Sequence, residues 1–322
     1  YSNTTGYENT ALGASALYSN TRGNYNSASS AYALYSNTTA SGNTASGYRA
    51  LYLNTTGNVN TASGYEALYS NTSGYSNIAS GSFALRENTT GYSNTALGYK
   101  ALYSNTEGYQ NTASGHSALY SNSIGYENSA SGYRTLYSNT TGLFNTASGA
   151  YALYENETGQ YNTALGHRAL YYNTQGEGNT AIGRRALYSN KTGDLNTALG
   201  FYADVTDGAF TNATAIGYRA RVNASNKVRL GNTDVTVIEG QVAFSNASDE
   251  RIKTNITETK YGLKTALSLK PVDYTMISNE QRNVGFIAQD VQKLVPEAVS
   301  GIEGDLEKGE TLSIAYTTLI PV

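Results

Sequence analysis

Ser248 and Lys253 are side chains of the kind that carry out nucleophilic chemistry. A serine hydroxyl attacks a carbonyl only when a neighbouring base takes its proton. A lysine serves as that base when burial or a like charge lowers its pKa, and Arg251 lies close in the chain. Their separation in the chain does not by itself distinguish such a pair from the solvated start of a helix. Other reactive groups are sparse. The two histidines, His116 and His167, read as ordinary surface residues rather than ligands or bases. The absence of cysteine excludes disulfides and thiolate metal sites, and neither a metal nor another cofactor is expected. No pair of carboxylates recurs in register between Tyr1 and Asn232, so no glycosidase or lyase site is expected there.

The elements that would carry these residues are set by an unusual composition. Charged residues make up 14% of the chain, against roughly 25% in ordinary soluble proteins. Asn, Thr, Ser and Ala dominate, with 33 Gly and 30 Tyr. The Tyr, Leu and Ala recur at fixed places, which a disordered chain does not require. A net charge of −3 gives no electrostatic reason to expect nucleic acid or an anionic membrane as partner. No apolar run is long enough to span a bilayer, so no membrane insertion is expected.

The recurrence is strict. Strings related to Asn-Thr-Ala-Leu-Gly begin at positions 9, 26, 43, 60 and onward in equal steps to 196, and a thirteenth begins at Ala213. The next Leu-Gly, Leu230-Gly231, follows Ile216-Gly217 after a shorter step. One unit reads N-T-A-(L/S)-G-x-x-A-L-Y-S-N-T-x-G-x-x. Position 3 is always Ala, position 9 is Leu from Leu17 to Leu187, and position 12 is Asn through the same span. Position 10 is Tyr except at Arg86. Tyr1 falls in mid-unit, so the natural chain is expected to extend upstream.

Gly at position 5 of nearly every unit (Ser30 is the exception), and usually at 15, rules out a long helix in each unit. Two short strands fit instead, T-A-L and A-L-Y-S, with turns at G-x-x and N-T-x-G. The unit is then one coil of a β-solenoid, and coils stack by parallel strand pairing. Alternation points Leu at position 9 and Leu, Ile or Ser at position 4 inward, with Ala at positions 3 and 8 on the other side. An Ala stripe of that kind invites another chain; the alternative is that Ala fills a thin core within the coil. The one or two large apolar side chains of each unit bury little surface against the entropy of ordering, so self-association is expected.

Two columns invite a functional reading. The Tyr column at position 10 would offer an adhesive or sugar-stacking face, or would stack on itself and shield the shaft, which is the reading we favour. The Asn column at position 12 contains glycosylation sequons, but an amide ladder closing the turns is the better account.

The repeats, together with VNASNKVRLGN at 222–232, resemble the head repeats of trimeric autotransporter adhesins (YadA-like), which imply a parallel β-roll in a homotrimer. The unit of this chain is longer than the one usual in that family.

From Ser248 the chain changes character. The stretch to Val322 is under a quarter of the chain, yet it carries more than two fifths of the charged side chains and all three Pro. Helices are expected over Tyr261–Leu269 and Gln289–Leu294, strands over Val272–Met276 and Val284–Ile287, and either form over Ser313–Ile320. The string Ser248-Asp249-Glu250-Arg251-Ile252-Lys253 with Asn255-Ile256 resembles the start of the endosialidase-type intramolecular chaperone domain. Lys270–Tyr274, Asn283–Val291 and Val295-Pro296-Glu297 are similar to its inner motifs. The last helices of that domain have no counterpart before Val322. The resemblance implies a single-turnover autoproteolysis at Ala247–Ser248, with Ser248 as nucleophile and Lys253 as base.

The expected organisation is a repeat shaft over 1–232, a connector strand over 233–247 and an α+β chaperone domain over 248–322. The whole is mainly β. A shift of one chain by one repeat restores nearly every contact, so the shaft specifies its own alignment weakly. A non-repetitive terminal trimeriser would fix alignment once, and its removal would leave kinetic stability. The expected protein is a trimeric extracellular fibre or adhesin, on a phage tail or a bacterial surface, with a cell-surface glycan or other surface receptor as its outside partner. Two further readings stand beside it: a depolymerase tailspike whose catalytic domain lies upstream, and a passive spacer fibre.

Overall fold

Each repeat carries the chain once round and back above its own start. The computed structural model describes residues 2–239, 241, 250–277, 280, 282–301, 303–304 and 311–319. The chain divides into two compact units, Tyr1–Leu230 and Gly231–Val322.

In the first unit fourteen short strands form one parallel sheet, from Thr10–Ala11 to Val228–Leu230. Each pairs with the same strand of the next repeat, as in Thr44↔Thr61, Ala45↔Ala62 and Ser46↔Ser63. The final step is the short one, Thr214↔Val228. At about 4.8 Å per strand the stack rises about 62 Å.

Each coil contributes one strand to this sheet, not two. The Ala-Leu-Tyr-Ser stretch, expected as a second strand, is a run of turns. The position 9 leucines adopt left-handed backbone, with φ of 51° at Leu34, 53° at Leu51 and 52° at Leu68. Position 7 does the same, as at Arg49 (φ 55°). These reversals let Ala at position 8 and Leu at position 9 both face inward, which an extended strand forbids. A left-handed non-glycine residue costs about 1–2 kcal/mol. Inter-coil hydrogen bonds offset that cost: Leu51 N–H donates to Ala67 O and Leu53 N–H to Tyr69 O, both at 3.0 Å. Where leucine ends, the second strand appears, as Asp204–Val205 paired with Arg221–Val222.

The two sides of the strand are also reversed from expectation. Ala45, Ala62 and Ala79 at position 3 are fully buried, and position 4 points outward, leaving Leu97 41% exposed. Leu at position 9 and two columns of buried Asn fill the interior, so only a methyl group fits at position 3. The Ala residues therefore pack within their own coil and form no stripe for another chain. Glycine is needed where coils touch. A Cβ on Gly57 would lie 2.2 Å from Gly74 O, and one on Gly64 (φ 138°) would lie 2.6 Å from the carbonyl carbon of Gly81.

The second unit is small and mixed. A helix spans Leu263–Ser268, and Val272–Thr275 pairs antiparallel with Arg282–Gly285. A helix over Ala288–Leu294 follows, then an antiparallel pair, Val299–Gly301 with Leu312–Ile314, and a helical turn at Tyr316–Leu319. Both expected helices are present. The strand expected at Val284–Ile287 begins earlier, at Arg282, and Ser313–Ile320 holds the end of a strand and then helix. Residues 233–239 and 241, the described part of the expected connector strand, form no ladder among the described residues. Val291, Val295 and Ala298 are the buried centre, packed against Tyr261, Leu269, Phe286 and Ile314.

Candidate functional site

Ala247 and Ser248 lie outside the described residues. Lys253 follows a single 3-10 turn, Glu250–Ile252, and its N–H donates to Glu250 O at 3.0 Å. The Lys253 side chain is exposed in the single chain. The turn begins at Glu250, shortly after Ser248 in the chain. Beyond it, Lys260 Nζ donates to Glu297 Oε1 at 3.2 Å, and the Tyr261 hydroxyl donates to Glu297 Oε2. The tyrosine bond first, then the backbone and Lys260, hold the Glu297 carboxyl down at about 2. These contacts tie the chain before the first helix to the Pro296–Ala298 turn.

This unit covers its apolar surface poorly. Leu263, Leu267, Ile277 and Val284 are 75%, 76%, 98% and 72% exposed. These side chains leave apolar surface uncovered on a small unit.

Inside the shaft, Asn fills two ladders. At position 12, Asn54 Nδ2 donates to Asn37 Oδ1 (3.0 Å) and to Gly57 O (3.0 Å), and the pattern repeats coil after coil. At position 1, Asn60 N–H donates to Asn43 Oδ1 (2.9 Å) and Asn60 Nδ2 to Gly74 O (2.8 Å). Both columns are fully buried from Asn37 onward. The position 12 sequons are thus closed to glycan attachment in the folded shaft, and the amide ladder stands.

Outside, the position 10 rings stack on one another, with centroids 5.1 Å apart for Tyr35–Tyr52 and 5.0 Å for Tyr120–Tyr137. Ring faces occupied in this way are unavailable for stacking on a sugar. Arg86 takes one place in the column, its guanidinium 5.2 Å from the Tyr69 ring centre. Its Nε donates to Glu66 Oε2 at 2.9 Å, and Glu87 pairs with it too. Burial works against the Arg86 charge, but the bonds to Glu66 and Glu87 outweigh it and raise its pKa.

Sequence reasoning missed the cation column at position 7. Arg134 lies 5.4 Å from the centres of both Tyr133 and Tyr137, and Lys100 lies 5.3 Å from Tyr99 and 5.5 Å from Tyr103. The recurrence of Arg and Lys directly after an aromatic was the available signal. His116 belongs to the ring column at position 6, between Tyr99 and Tyr133 at 5.0 and 5.2 Å. His167 lies edge-on to Tyr151, and burial, then Arg168, Arg184 and Arg185, lower its pKa. Both histidines thus stand within the ring column at position 6. Among the described residues no cluster of metal-ligating side chains occurs, and no helix is long and apolar enough to cross a membrane.

A parallel solenoid that ends in a small, poorly covered α+β unit defines the chain as a repeat shaft with a distinct terminal module. That module is similar to a known family: the model of the chaperone of endosialidase family matches residues 248–300, starting at Ser248. No curated protein matches the chain.

Proposed function

We propose that this chain is the shaft of a trimeric extracellular fibre, of the phage tail-fibre or bacterial surface type, with a C-terminal chaperone acting in cis. The observation that carries the reading is the order of parts: thirteen near-identical coils lead to a segment that matches the chaperone of endosialidase from Ser248 onward. The shaft needs such a module because a slip of one coil preserves its pairing almost everywhere. The exposed Leu263, Leu267 and Val284 supply apolar surface through which terminal units associate and set that alignment.

After assembly the module cuts itself off between Ala247 and Ser248. Ser248 Oγ attacks the carbonyl carbon of Ala247 while Lys253 accepts the serine proton. The Ala247–Ser248 amide bond breaks as the Ser248 nitrogen takes up that proton and leaves as the amine. Water then hydrolyses the Ala247–Ser248 ester, freeing the Ala247 carboxylate and restoring the serine hydroxyl. Lys253 is exposed in the single chain, so the desolvation that a lysine base requires comes from a neighbouring copy. Cleavage therefore follows assembly. The released fibre reaches a glycan or other receptor on a cell surface.

Intact mass spectrometry of the wild-type chain, Ser248→Ala and Lys253→Ala tests the chemistry. The wild type should give a fragment ending at Ala247, and both variants should remain whole. Cleavage that persists in Ser248→Ala, or a wild type that is never cut, removes the serine–lysine assignment.

A further inference from the structure

The outward residue of each strand changes along the shaft. At position 4 it is Ser in the strands containing Ser46, Ser63, Ser80, Ser114, Ser131 and Ser148. From the tenth strand on it is Leu165, Ile182, Leu199, Ile216 and Leu230, without interruption. These five are direct partners in the sheet: Leu165↔Ile182, Ile182↔Leu199, Leu199↔Ile216 and Ile216↔Leu230. At about 4.8 Å per strand they make an apolar row about 19 Å long. They are 37%, 39%, 46%, 38% and 40% exposed, although each lies within a regular sheet.

We propose that this row is the seam at which copies of the chain meet, and that it holds their alignment after the terminal module has gone. The inference rests on the trimeric reading above and names the surface that reading requires. Three observations identify the occupant as another copy of this chain. A row of side chains repeating at the strand spacing is matched, side chain for side chain, by a second parallel stack of the same spacing. The row occupies the last five strands of the sheet, the part of the shaft closest in sequence to residues 248–300. The same coils also segregate charge. Arg168, Arg184, Arg185 and Arg219 follow the strand, at positions 6 and 7, whereas Glu177 and Asp194 lie at position 16, with Lys191 at position 13 between them. A threefold interface brings different surfaces of neighbouring chains together, so the basic side of one copy faces the acidic side of the next.

The seam also answers the alignment problem locally. A slip of one coil among the Ser-bearing strands changes position 4 only where the lone Leu97 interrupts them. A slip at the seam sets Leu165 or Leu230 opposite Ser or past the end of the row. Five apolar side chains in a row therefore mark one alignment.

The test replaces Leu165, Ile182, Leu199 and Ile216 together by Ser, the residue that position 4 carries in other coils and that their fold accepts. Sedimentation velocity of the full chain over a dilution series reads the outcome, with circular dichroism to verify the coil. The wild type should sediment as a trimer and the Ser variant should dissociate at a concentration at least tenfold higher. Equal dissociation of the two overturns the seam and leaves the trimer intact. A wild type that is monomeric at every concentration overturns the trimer reading itself. Should the quadruple variant not fold, Leu199→Cys in this cysteine-free chain decides: under mild oxidation it should crosslink copies, whereas Ser63→Cys should crosslink far less. Equal crosslinking at both positions contradicts the seam.

Discussion

Asp204 stands where the eleven preceding coils place leucine. It is 6% exposed, and burial raises its carboxyl from the ordinary 3.8 to about 6. Bonds donated by Ser189 Oγ (2.8 Å), Ser189 N–H (3.1 Å) and Val205 N–H (2.9 Å) pull the other way, as does Arg221, and limit the rise. A raised acid pKa means that the fold resists ionisation. Below pH 4 the group is neutral in both folded and unfolded chain and makes no difference. Between pH 4 and 6 stability falls as the proton leaves the unfolded chain first, and above pH 6 the full cost remains. That cost is about 3 kcal/mol. Asp204→Asn keeps the acceptor for the backbone bonds and removes the ionisation. Thermal unfolding followed by circular dichroism at pH 4 and pH 7 should show a smaller loss of stability in the variant than in the wild type. Parallel losses would mean that Asp204 does not cause the dependence. The sequence marks this residue as a break in the leucine column, but its burial depends on the short paired strands of the last coils.

At the scale of the coil, the amide ladders matter as much as the leucines. Asn105 Nδ2 donates to Asn88 Oδ1 (2.8 Å) and Gly108 O (2.9 Å), and its own Oδ1 accepts from Asn122 Nδ2 (2.8 Å). Asn105→Ala leaves buried partners without their bonds and should destabilise the shaft by about 2 kcal/mol in chemical denaturation. The exposed Thr56→Ala should change little by comparison. The period, the parallel stacking and the position 12 ladder were legible in the sequence because each depends on repetition alone. The inward side of the strand was not. Hydrophobicity assigns Leu165 inward and Ala164 outward, yet the interior is already filled by Leu170 and the Asn columns, and only Ala fits. The number of strands per coil was hidden for a related reason. Leucine carries no sequence mark of left-handed backbone, yet Leu170 adopts φ 51° because the inter-coil bonds over-determine it. In the terminal unit the helices were legible from spacing. Ser248 and Lys253 were singled out by the string around them, since a serine and a lysine at that separation carry almost no information.

For the whole molecule, the inward placement of Ala removes the Ala stripe as a contact between chains and leaves the proposed trimer to other surfaces. The surface available for association is now the outward apolar row near the end of the shaft and the uncovered leucines of the terminal unit. The coils supply strength along the fibre through repeated ladders, and the same repetition leaves their alignment with neighbours degenerate. On the proposed function, such a fibre depends on a non-repetitive end to set its alignment. Size-exclusion chromatography with multi-angle light scattering on the purified wild-type chain measures this most directly. The account predicts a particle of three shafts, cut or uncut; a single chain of 34.3 kDa at every concentration would contradict it.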